Sequence, residues 1–324
     1  HRVVLLLSSG RFENLNDLYE MARSVNYSEL IDSSQSFAVR AERHGEHNFT
    51  TLDIASRVGQ AIIDSFMADR GCRLKVNLDN PDVEFLCLVR GDEFILGLNT
   101  TGESLHKRHY RVYDHPAALK TTIASAMIKI SGWKPREPLL DPMCGGGTIP
   151  IEAALMARGV PPGFFRGDDF AFLKLRFLDM GEFEDFKAEC LSKVSHERFQ
   201  IYGFDKFRRY VDGAVRNARS AGVEDTISFA VRDAMKLRNF LDFSPEHVIT
   251  NPPYGIRMRS GRMNIFYKSF LRSLRNVASG STLTLITAAK RCFVVSAEAV
   301  GVKIISSREV FHGDIQATIF KCLV

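Results

Sequence analysis

The chain has 324 residues, and its 45% hydrophobic and 25% charged content is that of an ordinary globular protein, which excludes the disordered and fibrous classes. The length suits about two domains, and no apolar run approaches the roughly 20 residues of a membrane span, so no membrane partner is expected. The six cysteines are scattered and form no C-x-x-C pair, which argues against a disulfide framework or a metal site and indicates a reducing, cytoplasmic setting.

Residues 1–105 are expected to form a small α+β unit. The chain opens on His1 and enters an apolar run at once, which predicts a strand over 1–9 and further residues upstream in the complete protein. An amphipathic helix is predicted after Thr51, which can cap it, and Gly71 can end it. The other predicted elements are a helix within 12–25, a strand over 36–43 and strands within 75–102.

The next stretch, 106–134, is a basic linker that leads into a helix predicted from Pro116 to about Ile130. From 135 to 324 the apolar pattern alternates between strand and helix, which predicts a mostly parallel, doubly wound α/β sheet. Two closing strands with no helix between them predict an antiparallel hairpin at one edge of that sheet. An insertion at about 160–198, rich in Phe and in charge, is expected to be helical and to lie over the sheet.

The motif LLDPMCGGGTIPIEAAL opens the second domain with a glycine-rich turn. An apolar strand ends at Asp141, three glycines follow, and Thr148 can cap the next helix. Glycines let a backbone approach a ligand closely, and a helix N-terminus favours negative groups. The turn is neither a G-x-G-x-x-G dinucleotide motif nor a Walker loop, so an ordinary structural turn is the more common interpretation of this motif alone.

Two later strands carry carboxylates at matching positions. FQIYGFD ends at Asp205, where doubly wound nucleotide binders place an acid for ribose hydroxyls, and TISFAVRDA carries Asp233. Asp205 is equally compatible with capping the helix that follows it. Since the carboxyl ends of parallel strands line one crevice, these acids, Asp141 and the tip NPPYG together predict a ligand site.

The segment VITNPPYGIRM suits an amine substrate in that crevice. Asn251 offers an amide oxygen, and the rigid bend fixes the carbonyl of Pro252 beside it, so both can accept hydrogens from one exocyclic amine. Such a pair orients the amine and stabilises the positive charge that grows on it during attack. Tyr254 offers a flat face for stacking a base that has left its helix.

Positive charge is concentrated after that bend. Residues 251–291 hold eight Arg or Lys and no Asp or Glu, whereas the net charge of the whole chain is only +5. This run predicts a surface that faces phosphates, and a solvated helix face is the alternative interpretation. The candidates for RNA contacts are Arg257, Arg259 and Arg262 after the bend, with Lys107, Arg108 and Arg111 in the linker.

The whole chain resembles the THUMP-domain guanine-N2 tRNA methyltransferases that use S-adenosylmethionine (SAM), most closely the archaeal-type enzymes that act at position six of tRNA. The resemblance rests on LDPMCGGGTIPIEAA, GFD, NPPYG, GESLHKRHYR and HPAALKTTIASAMI. It implies a Rossmann-like methyltransferase domain over 135–324, preceded by an RNA-binding THUMP domain with a truncated ferredoxin-like part over 1–105.

The resemblance also implies roles for individual residues. Asn251, Pro252 and Tyr254 would hold a flipped guanine for direct, in-line methyl transfer in the acceptor stem of tRNA. The residues implied to bind SAM are Asp141, Met143, Cys144, Gly145, Gly147, Thr148, Asp205, Lys206, Asp233 and Ala234.

Several alternatives stay open. Ribosomal RNA is a second substrate class, because related bacterial enzymes modify guanine N2 in large-subunit RNA. Adenine N6 or a glutamine amide would also suit an NPPY site, and an RNA-binding adaptor with an inactive methyltransferase domain is the non-enzyme alternative. Some relatives act with a small activator subunit, on which the sequence is silent.

Overall fold

The chain folds into two units in the computed structural model, which describes residues 1–254 and 260–324. Each unit has its own β-sheet and its own hydrophobic core. Among the described residues, no helix combines the length and the apolar character that crossing a membrane demands. The first unit consists of 1–105 and 166–188, and the second of 106–165 and 189–324.

The first unit is built on a five-stranded sheet. Its elements are β1 Val4–Arg11, α1 Leu15–Arg23, β2 Ser36–His44, α2 Thr51–Arg70, β3 Lys75–Val76, β4 Val83–Arg90 and β5 Glu93–Asn99. The strand order is β1-β5-β4-β2-β3. The pairs β1–β5 and β5–β4 are antiparallel, whereas β4–β2 and β2–β3 are parallel.

The long helix α2 is capped one residue earlier than predicted. Thr50 keeps an extended backbone and its Oγ1 accepts a hydrogen bond from the Asp53 N–H, so Thr50 is the cap and Thr51 is the first helical residue. Gly71 ends the helix in the left-handed conformation (φ 69°), as predicted. The apolar stripe of this helix is buried against the core: Ile54, Val58, Ile62 and Phe66.

The second unit is built on a seven-stranded sheet in the order β11-β12-β10-β9-β6-β7-β8. From residue 106 onward the helices and strands are α3 Thr121–Ser131, β6 Leu139–Asp141, α4 Thr148–Ala157, α5 Met180–Ser192, β7 Ile201–Asp205, α6 Arg208–Ser220, β8 Ile227–Val231, β9 His247–Thr250, α7 Ser260–Arg275, β10 Thr282–Thr287, α8 Lys290–Val300, β11 Lys303–His312 and β12 Ile315–Leu323. The neighbours from β10 to β8 are parallel, and β12 is antiparallel to both of its neighbours. The predicted Rossmann-like α/β fold with a closing antiparallel hairpin is confirmed.

Alternate residues of the central strands enter separate cores. Leu139 and Ile249 pack in one core with residues of α3 and α4. Leu140 and Val248 pack in the other with residues of α7 and α8. Because both faces of the sheet are covered, its central strands read as nearly continuous apolar runs.

The insertion differs from its prediction in location. It is partly helical, with 3₁₀ turns at Phe164–Arg166 and Ala171–Lys174 ahead of α5. Residues 166–188 nevertheless belong to the first unit rather than lying over the parallel sheet. The physical reason is that Leu175 is buried in the core of the first unit, with Phe172 packed against it.

Two helices also differ from the predicted pattern. The helix expected from Pro116 begins at Thr121, because the N–H groups of Ala117 and Ala118 donate to Nδ1 and to the carbonyl of His115 and form a separate turn first. The helix α8 lies between β10 and the closing hairpin and was not among the predicted elements.

Candidate active site at the carboxyl edge of the parallel sheet

The predicted strand tips meet at one edge of the second sheet. β8, β7, β6 and β9 are successive neighbours and run parallel, so their carboxyl ends lie side by side. These ends lead into Asp233, Asp205, Asp141 and Asn251 respectively. From β6 the chain adds β7 and β8 on one side and β9 and β10 on the other, so the strand order reverses between β6 and β9. Open α/β sheets bind their ligands at such a point.

Asp141 joins the two strands at this switch point. Its Oδ1 accepts hydrogen bonds from Thr250 Oγ1 (2.8 Å) and from the Met143 N–H (3.1 Å). The side chain is buried, and this burial raises the pKa of the Asp141 carboxyl from its usual 3.8 to about 7. Since Thr250 immediately precedes Asn251, the NPPY bend starts directly beside the glycine turn.

The raised pKa of Asp141 predicts a pH-dependent difference in stability between the parent and Asp141→Asn. Between about pH 4 and pH 7 the folded state binds more protons than the unfolded state at this group, so its contribution to stability falls as pH rises. Below that window the neutral acid resembles the amide, and above it the folded parent carries a buried charge. We therefore expect the free energy of unfolding of Asp141→Asn, measured by urea titration, to rise relative to that of the parent as pH rises through this window. The difference between the two should change by at most about 1.4 kcal/mol per pH unit. A difference that is the same at pH 5 and pH 8 would contradict this.

The glycine turn is held by Asp205. Its Oδ2 accepts from the Gly145 N–H (3.1 Å) and its Oδ1 from the Phe207 N–H (2.9 Å), so the carboxylate ties the first turn to the second strand. Gly145 (φ 52°) and Gly147 (φ 81°) both have left-handed backbones that favour glycine. A Cβ on Gly147 would also come within 2.9 Å of the Ala214 Cβ.

Thr148 does not cap α4 as predicted. Gly147 occupies the N-cap position and makes no side-chain cap, whereas Thr148 is the first helical residue. The Thr148 Oγ1 instead accepts a hydrogen bond from Arg111 (3.1 Å). The interpretation of Asp205 as a helix cap is likewise too narrow, since that carboxylate bonds to the glycine turn as well.

Asn217 on α6 is a residue of the candidate site that the sequence analysis missed. Its Oδ1 accepts from the N–H groups of Val112 and Tyr113, and its Nδ2 donates to the carbonyls of Tyr113 and Gly146 (2.9 Å). All of its polar atoms are thereby used to hold the linker against the glycine turn. A signal was available, because Asn217 is an amide on the buried stripe of an Arg-rich helix that also carries Val211, Ala214 and Ala218.

The linker segment 112–115 forms a wall of the turn. The Tyr113 ring packs over Gly213, where a Cβ would lie 2.2 Å from it. The His115 ring lies against Gly145 and makes an edge contact with Tyr210 at 4.2 Å between ring centroids. Burial lowers the pKa of His115, so its ring is neutral at physiological pH.

The prediction that Arg108 contacts RNA is wrong, because its side chain is only 7% exposed. Its guanidinium pairs with the buried Glu152 on α4 (3.2 Å) and donates to the carbonyl of Pro162. Tyr110 and Ser125 donate to the same carboxylate, so Arg108 belongs to a satisfied buried network.

Arg111 and Lys107 lie in different surroundings. The half-buried Arg111 donates to the carbonyl of Leu119 and to Thr148 Oγ1, and Lys107 is exposed. Arg262 is exposed on the first turn of α7. The predictions for Arg257 and Arg259 lie outside the described residues.

The NPPY bend presents an unused acceptor. Asn251 Oδ1 is buried and has no hydrogen-bond partner among the described residues, which is uncommon for a buried polar atom. Pro252 is buried, while Tyr254 is half-buried and its hydroxyl lies 3.4 Å from His312 Nδ1. Desolvation raises the pKa of Tyr254, so the phenol stays protonated.

The other residues implied to bind the cofactor are distributed along the same edge. Asp233 Oδ1 accepts from the Met235 N–H (3.0 Å), and Ala234 is buried beside it. Lys206 is exposed next to Asp205. Cys144 is buried and its thiol pKa is raised by that burial, so it is a poor nucleophile.

Two family models match the chain. One, described as a THUMP domain, matches residues 12–99. The other, described as UPF0020, an RMKL-like methyltransferase domain, matches residues 108–318. The second match alone covers more than half of the chain.

The chain is also similar to individual proteins. The tRNA (guanine(6)-N2)-methyltransferase of Methanocaldococcus jannaschii is 45% identical over 303 residues, which cover 90% of this chain and 77% of that protein. The protein of the same name from Archaeoglobus fulgidus is 41% identical over 326 residues, which cover 100% of this chain and 78% of that protein. A solved structure, SMU.472 complexed with SAH, has a TM-score of 0.81 at 23% identity, covering 99% of this chain and 83% of that chain, and shows the fold alone.

Proposed function

Because the chain belongs to the RMKL-like methyltransferase family and carries a THUMP domain, we propose that it methylates the N2 amine of a guanine in tRNA with SAM as donor. The predicted family resemblance is confirmed by these matches and by the archaeal relatives. The printed name of both relatives, tRNA (guanine(6)-N2)-methyltransferase, supports guanine N2 and tRNA as the reacting group and the substrate.

One observation carries this proposal: beside the glycine turn, which two aspartates hold in place, lies a buried acceptor that has no hydrogen-bond partner in the described part of the chain. Asn251 Oδ1 is the acceptor, and Asp141 and Asp205 hold the turn. A buried acceptor without a partner has lost its hydration, so a ligand N–H at that point gains a full hydrogen bond.

The residues present fit SAM. The Asp205 carboxylate holds the turn with one lone pair of each oxygen, and its remaining acceptor capacity suits ribose hydroxyls. The backbone of Gly145 and Gly147 lacks side chains and allows a close approach of the amino-acid part. Met143, Lys206 and Ala234 would line the remainder of the pocket. When bound, SAM supplies a methyl group on a sulfonium centre, and a fold neighbour solved with SAH supports this cofactor.

The NPPY bend would orient the amine. Asn251 Oδ1 and the Pro252 carbonyl each accept one hydrogen of the guanine N2 amine, which directs the nitrogen lone pair at the methyl group. The two acceptors would also stabilise the positive charge that develops on nitrogen as its bond to the methyl group forms and the bond from that methyl to the donor sulfur breaks, with a neutral thioether as leaving group. The surplus proton leaves to water afterwards, so no strong base is required before attack. Tyr254 stacks on the flipped guanine.

We propose separate roles for the predicted domains. The part over 1–105 would bind RNA, 106–134 would connect it and wall the cofactor site, and 135–324 would hold the catalytic machinery. Arg262, Lys107 and Arg111, with Arg257 and Arg259, would contact phosphates near the target nucleotide in the acceptor stem.

The decisive experiment maps the product. Purified protein is incubated with labelled SAM and either total tRNA or ribosomal RNA, and the nucleosides are identified by mass spectrometry after digestion. We expect N2-methylguanosine in the tRNA sample and none in the ribosomal RNA sample. Methyl groups found only in ribosomal RNA, or on adenine, would overturn the substrate assignment, and no transfer despite SAM binding would favour the RNA-binding adaptor.

A further inference from the structure

A cationic and aromatic surface begins beside the cofactor turn and continues along α6; of its residues, only Lys206 was assigned above to the cofactor pocket. Asp205 at the tip of β7 is followed directly by Lys206, Phe207, Arg208 and Arg209, all of them exposed. The Phe207 N–H donates to Asp205, so this surface is attached to the carboxylate that holds the glycine turn.

Phe207 is an exposed aromatic ring, 46% accessible, with two cations near it. The Lys206 Nζ lies 4.8 Å and the Arg209 guanidinium 5.8 Å from its ring centroid. Arg216 lies two turns beyond Arg209 on the same face of α6, with its guanidinium 5.2 Å from the centroid of the Tyr113 ring. Aromatic faces combined with cations that follow a backbone are the arrangement with which proteins bind unpaired nucleotides.

The charges at this end of α6 are not explained by the stability of the helix. Its N-terminus carries the positive end of the helix dipole, yet the helix begins with Arg208 and Arg209 and has no acidic residue in its first turn. Within the part of the chain that the structure describes, Lys206, Arg209 and Arg216 have no carboxylate within ion-pairing distance. Only Arg208 has a loose contact, 3.7 Å from Asp212.

The other end of the same helix provides the contrast. Arg219 is also exposed, but its Nε and Nη2 donate to the two carboxylate oxygens of Glu224, at 2.7 and 2.8 Å. The cations of α6 without a carboxylate partner among the described residues therefore begin at the end of the helix on the carboxyl edge of the sheet, where the cofactor turn is, and continue to Arg216.

We infer that the exposed surface from Lys206 to Arg216 is an RNA-binding surface, on which Arg209 and Arg216 contact backbone phosphates of the tRNA and Phe207 stacks on an unpaired base. This inference rests on the proposed tRNA substrate and adds a second contact surface to the predicted arginines after the NPPY bend. If it is correct, substitutions on this surface lower the affinity for tRNA and leave the affinity for the cofactor unchanged.

The test compares a double variant, Arg209→Gln with Arg216→Gln, with the matched control Arg219→Gln. Affinity for tRNA is measured by fluorescence anisotropy from 50 to 300 mM salt, and affinity for SAH by calorimetry. We expect the double variant to bind tRNA about tenfold more weakly at 0.1 M salt and to lose about 1 to 2 from the slope of log affinity against log salt. The control should keep the parental affinity and slope, and every variant should keep the parental SAH affinity.

Phe207→Ala separates stacking from charge. It should weaken tRNA binding by about fivefold or more with the salt slope unchanged. A parental tRNA affinity and slope in the double variant, or a rise in the SAH dissociation constant in Phe207→Ala without a loss of tRNA affinity, would overturn the inference. If the parent protein binds SAH but no tRNA, both the proposed substrate and this RNA-binding surface are rejected. If the parent binds tRNA and the variants bind it equally well, the proposed function is kept and only this surface is rejected.

Discussion

Replacing Asn251 by alanine should lower the turnover number by about 10²- to 10³-fold, the usual effect of removing one preorganised group that stabilises a developing charge. The reason is that Asn251 Oδ1, just after β9, is buried and has no hydrogen-bond partner among the described residues. Cofactor affinity should stay within about twofold of the parental value, because Asn251 makes no hydrogen bond to the glycine turn in the described structure. Single-turnover kinetics with labelled SAM, together with calorimetric SAH binding, measures both quantities.

Two further variants at Asn251 separate the acceptor from the shape of the side chain. Asn251→Leu has a similar volume but no oxygen and should lose as much turnover as the alanine variant. Asn251→Asp keeps an oxygen in place and should retain more activity than either. Parental turnover in the alanine and leucine variants would remove the acceptor from the mechanism.

Replacing Asp205 by alanine should raise the dissociation constant of SAM and of SAH by roughly 10- to 150-fold, which corresponds to the about 1.5 to 3 kcal/mol of a hydrogen bond to a charged group. The variant loses the carboxylate that orders the turn through the N–H groups of Gly145 and Phe207, and with it the proposed acceptor for the ribose. Isothermal titration calorimetry with SAH measures the effect directly.

A second aspartate supplies the control for this change. Asp225 pairs with Arg158 at 2.7 Å and precedes β8, at the amino edge of the sheet, so Asp225→Ala removes the same charge on the opposite side of the domain. It should leave the SAH dissociation constant unchanged. An Asp205→Ala protein that binds SAH as tightly as Asp225→Ala does would refute the assignment of Asp205 to the cofactor.

The position of the candidate site could be predicted from the sequence because its residues follow strands. The apolar runs before Asp141, Asp205 and Asn251 mark the strands, and parallel pairing brings their ends together without any knowledge of side-chain packing. The family resemblance rested on the same segments, since a glycine turn and an NPPY bend are local features that one stretch of chain determines.

Residues whose partners are distant in the chain were not predictable in this way. Arg108 lies in a basic, aromatic run that is typical of RNA contacts, but its partner Glu152 comes 44 residues later and buries it. Asn217 bonds to a segment more than 100 residues earlier. The first turn after His115 was misread as helix because the competing bond to the imidazole nitrogen is invisible to apolar periodicity.

Because of the insertion, the chain passes between the two units at three places rather than one. The chain passes from the first unit to the second after residue 105, returns at 166 and leaves again after 188, so neither unit is a continuous segment. A fragment starting at residue 106 would carry Phe172 and Leu175 without the core that buries them. The methyltransferase half therefore cannot be excised or exchanged by a single cut in the gene, and any chimera with another RNA-binding module has to transplant the excursion at 166–188 along with residues 1–105.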